Sequence, residues 1–388
     1  MTAIRLRQLK FEGEITIATE ENHLPYQRPP LSKGYLVNKA KIESLYFKSS
    51  TYYENNNVRV IKKKKATGIS REKKQLYFDD KSSLGFDYLV IATGSELNKI
   101  EQKKENEKIV YLNNLGSAIQ LKKLLETSKN IGVIGAGFIG LEVAATARNK
   151  GLKTNVFEAA DRIMGRSASK HVAQFLQKYH ESKGVNFLTG TMIETIKTKH
   201  QEVEIILSNN ARYKTECVAV GIGVKPSSQI AEDAKLECNN GIIVDENCAT
   251  NDKSIFAAGD CANYYLDRYK TRQRLESVQN AIDQAKIVAS SITGNLTGYK
   301  SIPWFWSDQY DLKLKIAGLL EGAEHSVIRG SMNKNQFSVC HYKNERLHAI
   351  ECINDQKTFM TGKKLIEASS EIGPDAIQDE TTNLKDWL

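Results

Sequence analysis

NIGVIGAGFIGLEVAATARNKGLKTNVFE, residues 130–158, is the stretch on which the fold turns. An apolar run at 131–134 predicts a strand. Gly135, Gly137 and Gly140 follow it in G-x-G-x-x-G spacing, before a helical segment and a second strand that ends on Glu158. Each glycine has its own task in a dinucleotide-binding unit. Gly135 permits the tight turn, Gly137 lets the backbone approach a pyrophosphate, and Gly140 lets the helix pack on the strand with its N-terminus toward the phosphates. A carboxylate at Glu158 accepts from adenosine ribose hydroxyls and repels a 2′-phosphate, which favours NADH over NADPH. Glycines alone also serve close helix packing, but strand, helix, second strand and terminal acid together favour the nucleotide.

The opening of the chain reads as the second half of a similar unit. TAIRLRQLKFEGEITIATE, residues 2–20, places Ile4, Leu6, Leu9 and Phe11 on a helix, breaks at Gly13, and continues as an alternating strand ending on Glu20. The expectation is that a first strand and its glycine turn, about fifteen residues in such units, lie upstream of Met1. The alternatives are a truly truncated chain and an ordinary amphipathic helix and strand. FDYLVIATGS (86–95) and SIFAAGDCAN (254–263) predict buried parallel strands whose ends deliver small residues and the Asp260 carboxylate to a ligand crevice. Either run alone would also serve as a core strand.

The 388 residues suggest two or three domains, and 40% hydrophobic with 26% charged residues describes a soluble globular protein. No apolar run follows the first arginines, and the apolar stretch 131–147 is interrupted by Glu142 and rich in glycine. Neither a secretory signal nor a membrane span is expected, and the protein is placed in the cytoplasm. Six cysteines without a C-x-x-C argue for inert thiols, no metal centre and no redox dithiol. The net charge of +9 includes the run Lys62, Lys63, Lys64 and Lys65. That run lacks interleaved aromatics, so a solvated loop is favoured over nucleic-acid binding, although a basic surface would speed encounters with an acidic partner.

HLPYQRPPLSKGYL (23–36) resembles the FAD-dependent ferredoxin reductases that serve bacterial haem monooxygenases and ring-hydroxylating dioxygenases, and the related rubredoxin reductases. The resemblance continues through FDYLVIATGS, IGAGFIGLEVAATA, FEAADRIMGR, GIGVKPS, IFAAGDCAN, RLESVQNA and PWFWSDQY, covering nearly the whole chain. It implies an α/β fold: two Rossmann-like, doubly wound nucleotide-binding domains plus a small α+β C-terminal domain. The FAD domain would take residues 1–100 and 223–299, the NAD domain 101–222, and the C-terminal, partner-docking domain 300–388. Charged, weakly patterned residues 98–107 and 294–301 read as linkers, and beyond Ser301 the pattern changes to short alternating strands.

Carried over by motif, Glu20 would hold the FAD ribose, Arg28 and Lys33 would approach the flavin, and Thr93, Gly94, Asp260 and Val278 would line the rest of the FAD site. For NADH the matching positions are Gly135, Gly137, Phe138, Ile139, Gly140, Glu158, Arg166 and Gly223. Lys33 and Glu142 would meet at the flavin near the nicotinamide, and Trp306 would lie near the flavin where the partner docks. Taken singly, Lys33 and Glu142 are equally surface residues, and tryptophans usually fill cores. The resemblance implies hydride transfer from NADH to FAD, then single electrons to a small iron–sulfur carrier, a ferredoxin or rubredoxin that feeds an oxygenase. Such an enzyme would act as a monomer or weak dimer.

Asn113 departs from the pattern, standing where the family usually carries arginine, so one flavin-side charge contact is expected to be lost. Peroxide or disulfide reductases of the same architecture need a redox cysteine early in the chain, yet the first here is Cys217. The likeness extends to apoptosis-inducing-factor-like oxidoreductases, but PWFWSDQY favours the ferredoxin-reductase branch; the rival from a different class is a truncated, flavin-poor, redox-inactive interaction protein of the same fold.

Overall fold

The computed structural model describes residues 1–100, 106–199 and 202–388. Half of the expected linker 98–107 falls on 101–105, outside the described residues, and the expected domain boundary at 100 borders them. The chain divides into two compact units, one of Met1–Gln27, Tyr46–Glu96 and Val224–Pro303, the other of Arg28–Leu45, Leu97–Gly223 and Trp304–Leu388.

In the first unit, helix Thr2–Gln8 lies against helix Val278–Ile292, and strand Ile15–Ala18 pairs in parallel with Val58–Ile61. Ala3, Leu6, Ile15, Tyr53, Val58 and Ala289 close a core between them. Of the apolar positions expected on the first helix, Leu6 lies in this core and Leu9 and Phe11 pack against it partly buried. A second parallel pair, Leu89–Ile91 with Ile255–Ala257, is a separate two-stranded sheet. The lysine run lies between strands Val58–Ile61 and Ala66–Ser70, with Lys64 ion-paired to Asp80, as a solvated loop should.

The second unit is built on a parallel sheet ordered Val185–Leu188, Lys153–Phe157, Asn130–Ile134, Cys217–Val220, Ile109–Tyr111. Asn130–Ile134 sits at its centre, which explains why that strand is a continuous apolar run: both of its faces are covered. One cover is the meander Ile193–Lys199, Glu202–Leu207, Arg212–Thr215, whose Ile196, Val203, Ile205 and Leu207 pack with Ile134, Phe157, Val218 and Val220. Helix Phe138–Asn149 contacts the central strands. Helix Lys170–Ser182 buries Val172, Leu176 and His180 at four-residue spacing.

The same unit contains an antiparallel sheet ordered Trp304–Gln309, Leu312–Gly318, Arg346–Ile353, Gln336–Lys343, His325–Ser331. Helix Gln356–Ala368 packs on it closely: a Cβ on Gly362 would come within 2.5 Å of Ile350 Cδ1, and that side chain would have to shift. The architecture is α/β, with a Rossmann-like parallel sheet and a β-rich C-terminal domain.

Candidate active site

The glycine turn follows the apolar strand Asn130–Ile134 directly. Gly135 has φ +94°, and a Cβ there would lie 2.3 Å from the Gly221 carbonyl oxygen. A Cβ on Gly140 would lie 1.9 Å from the Gly135 carbonyl oxygen, so the helix can approach its own turn only because that atom is missing. Gly137, by contrast, faces open space and is the N-cap of helix Phe138–Asn149 without any capping side chain. Uncapped amides at a helix start, beside an open glycine, fit a pyrophosphate. Ile139 is exposed and Phe138 half-buried at this mouth.

Glu158 ends strand Lys153–Phe157 as expected, but its carboxylate also serves the backbone. Oε2 accepts from Ala136 N–H at 2.8 Å and Oε1 from Ala160 N–H at 2.9 Å. Each oxygen keeps a second lone pair for a ribose hydroxyl. The loop after it is tied to the turn by Met164 N–H donating to the Ala136 carbonyl at 3.0 Å. Arg166 on that loop reaches Gly223, whose absent side chain leaves room for the guanidinium. The NADH candidates therefore gather at one end of the parallel sheet, where ligands of such sheets bind.

Glu142, one turn into the same helix, is 4% exposed and collects partners from distant segments. Lys33 Nζ lies 2.9 Å from Oε2, which also accepts from Ser32 Oγ at 2.5 Å, 110 residues away in sequence. Ser307 Oγ donates to Oε1 at 2.6 Å, 165 residues away. Thr146, one turn on, donates to the Ser32 carbonyl at 3.2 Å. Sequence reasoning paired Lys33 with Glu142 but missed Ser32 and Ser307. Burying a lone carboxylate is prohibitively costly, so a cation and two hydroxyls are what make this position tenable. Arg28, on the same segment as Lys33, donates to the backbone carbonyl of Asn113. That bond does not depend on the side chain at 113.

Strand Trp304–Gln309 explains why two of its residues reach inward. Alternation turns Ser307 and Gln309 to a buried face, 0% and 1% exposed, while Asp308 is exposed. Trp304 and Trp306 stand together with ring centroids 5.4 Å apart. They line a groove of about 450 Å³ with Asp308, Tyr310, Asp311, Leu312, Lys313 and Lys315.

The first unit carries the other expected FAD residues. Pairing of Ile91 with Ala257 puts Thr93–Gly94 and Gly259–Asp260 beyond the same end of one strand pair. Thr93 Oγ1 donates to the Ser227 carbonyl at 2.6 Å, Ser95 Oγ approaches the Asp260 carboxylate at 3.5 Å, and Arg274 donates to the Asp260 carbonyl at 3.2 Å. Gly94 has φ +70° and open space where a side chain would stand, and Gly259 has φ +83°. Val278 opens helix Val278–Ile292 behind the Ser277 cap. An open glycine bend, a half-exposed carboxylate and a helix start fit the phosphate and ribityl parts of FAD. Glu20 follows strand Ile15–Ala18, of the other strand pair, and is exposed.

Burial raises all six thiols: Cys217 and Cys238 to about 11, Cys248 and Cys340 to about 12, and Cys261 and Cys352 upward as well. Such thiols stay protonated near neutrality and are poor nucleophiles. Among the described residues no helix is long and apolar enough to cross a membrane.

Residues 1–285 match the family described as pyridine nucleotide-disulphide oxidoreductase, and residues 304–388 match that described as reductase C-terminal. The chain is 37% identical over 385 residues to rhodocoxin reductase of Rhodococcus erythropolis, covering 99% of this chain and 90% of that protein. It is 33% identical over 393 aligned residues to putidaredoxin reductase of Pseudomonas putida, covering 100% and 93%. Among solved structures it superposes on the covalent putidaredoxin reductase–putidaredoxin complex with a TM-score of 0.96 at 33% identity, covering 99% of this chain and 94% of that one. The ferredoxin reductase of the CYP199A2 system from Rhodopseudomonas palustris gives 0.95 at 36%, covering 99% and 96%.

Proposed function

The chain belongs to the pyridine nucleotide-disulphide oxidoreductase family and carries a reductase C-terminal domain, and on that premise we propose how it works as an FAD-dependent NADH:ferredoxin reductase of the ferredoxin/rubredoxin–NAD(+) reductase class. FAD, when bound, supplies the conversion of a hydride from NADH into single electrons for a small iron–sulfur carrier. The carrier is a ferredoxin or rubredoxin. In the full reading, residues 1–100 and 223–299 hold FAD, 101–222 hold NADH, and 300–388 meet the carrier through the face that bears Trp306. A cytoplasmic site agrees with six unpaired cysteines.

The observation that supports the centre best is the buried Glu142, gripped at once by Lys33, Ser32 and Ser307. Lys33 provides a cation that favours negative charge on the reduced cofactor, and Glu142 fixes that cation in place. The helix start at Gly137 to Ile139 orients the NADH pyrophosphate, Glu158 takes its ribose, and Arg166 beside Gly223 closes the adenosine side. Glu20, Thr93, Gly94, Asp260 and Val278 hold FAD, with Arg28 toward the flavin.

The test is the flavin spectrum of the purified protein, followed by NADH-driven reduction of ferredoxins and rubredoxins. Lys33→Met and Glu142→Gln should slow flavin reduction by NADH on the order of a hundredfold, the usual cost of losing a placed charge. Flavin-loaded protein that reduces disulfides or peroxide but no iron–sulfur carrier sinks the assignment.

A further inference from the structure

Glu142 is the end of a longer buried chain of polar groups. Ser307 Oγ, which donates to Glu142, itself receives Gln309 Nε2 at 3.0 Å. Gln309 Oε1 lies 2.8 Å from His180 Nε2, and His180 Nδ1 lies 3.4 Å from the Tyr310 hydroxyl. His180 is 0% exposed. We propose that His180, Gln309 and Ser307 are positioning residues for the reductase reaction, a one-way hydrogen-bond chain that aims Glu142 at Lys33 and keeps it ionised. The proposal rests on the assignment of Lys33 and Glu142 to the hydride-transfer centre.

Donor and acceptor chemistry leaves one direction for the chain. The Glu142 carboxylate pairs with Lys33 through Oε2 and accepts through Oε1, so the Ser307 proton lies along the 2.6 Å contact. Ser307 must then accept from its other neighbour, which the Gln309 amide nitrogen provides. The Gln309 oxygen therefore faces His180, whose Nε2 has to carry the proton, leaving Nδ1 to accept from Tyr310. Reversing the Gln309 amide would leave the single Ser307 proton between two acceptors, so that either the 3.0 Å contact to Gln309 or the 2.6 Å contact to Glu142 becomes two bare oxygens. Each donor polarises the next, and the sum favours the charged form of the carboxylate.

The surroundings hold His180 neutral. Burial pulls its imidazole down to about 4, so the ring stays uncharged near neutrality. The groups facing it are Gln309, Tyr310 and the edge of Phe187. Beyond Tyr310 stand Arg148, Lys183 and Tyr179, the last donating to Asp311. Facing Glu142 are Lys33, Ser32 and Ser307.

The holoenzyme tests this with two independent readouts. Nitrogen-15 NMR of labelled histidines should find His180 as the neutral Nε2–H tautomer from pH 5 to 8, with or without turnover. A Nδ1–H or protonated ring at pH 6 overturns the chain. Ser307→Ala and Gln309→Leu should move the acidic limb of kcat/KM for NADH upward by about one unit, a tenfold loss at low pH that recovers at high pH. Ser307→Thr, which keeps the hydroxyl, should restore the profile. Unchanged profiles in both variants, beside a slowed Glu142→Gln, overturn the positioning role alone. If Glu142→Gln itself reduces flavin at the wild-type rate, the underlying assignment of the centre falls instead. Should Gln309→Leu fail to fold, Ser307→Ala and the tautomer decide the matter.

Discussion

Acidification from pH 7 to 4 should weaken the fold around His180 by about 3 kcal/mol more in the wild type than in His180→Gln. The imidazole is wholly buried, hydrogen-bonded to Gln309 at 2.8 Å, and lowered by burial from 6.5 to about 4. In the unfolded chain the ring takes its proton at about 6.5. Between those two values only the unfolded state is protonated. Stability therefore falls as pH drops from 6.5 toward 4, and this contribution levels off below. At about 1.4 kcal/mol per unit, a window of roughly two and a half units is worth about 3.5 kcal/mol in full, of which about 3 is lost by pH 4, where the folded ring is itself half protonated. Glutamine offers an N–H to Gln309 but does not titrate, so the variant shares every carboxylate response and lacks this one. Hydrogen exchange of amides in helix Lys170–Ser182 at several pH values reads the local opening free energy without assuming that the whole chain unfolds together. Equal pH slopes in the two proteins, or a wild type that gains on acidification, would refute the reasoning.

Gly140→Ala should abolish NADH-driven flavin reduction, since its Cβ would stand 1.9 Å from a backbone oxygen that cannot yield; stopped-flow absorbance measures it. Glu158→Ala leaves the Ala136 and Ala160 amides without their acceptor, and should raise KM for NADH about tenfold while narrowing the preference over NADPH, read from the two KM values. Glu351 is fully buried, 2.9 Å from His341 Nε2 and from Ser169 N–H at the start of helix Lys170–Ser182. Glu351→Ala should cost about 1 to 3 kcal/mol of stability in denaturant unfolding, because His341 is left buried without its hydrogen-bond partner and the half-buried Ser169 amide loses its acceptor.

What the sequence discloses here follows the range of the interactions. The glycine turn is legible because its three glycines lie within six residues, Gly135 and Gly140 imposed by backbone crowding that only glycine relieves and Gly137 left open between them. Glu158 is legible as a strand-end acid, though its grip on Ala136 and Ala160 is a loop matter that no spacing announces. Ser32, Ser307, Gln309 and His180 are ordinary letters in their own segments, and become a set only when a helix, a loop and a strand converge. Alternation in WFWSDQ does announce that Ser307 and Gln309 share a face, which is the one signal that could have found them. Arg28 is held by the backbone carbonyl of Asn113, a group every residue carries, so that bond could not be read from the side chain at 113.

The meeting of Ser32, Glu142 and Ser307 also sets a timetable for the growing chain. Glu142 leaves the ribosome after the segment that holds Lys33, but Ser307 follows it by 165 residues. At ordinary rates of synthesis that is a delay of roughly ten to thirty seconds. During that interval the carboxylate lacks the hydroxyl that fixes it, and the helix bearing it has no C-terminal strand to lie against. The nascent protein therefore completes its glycine turn well before it completes its charge centre, and a chain interrupted before residue 307 would carry the first without the second.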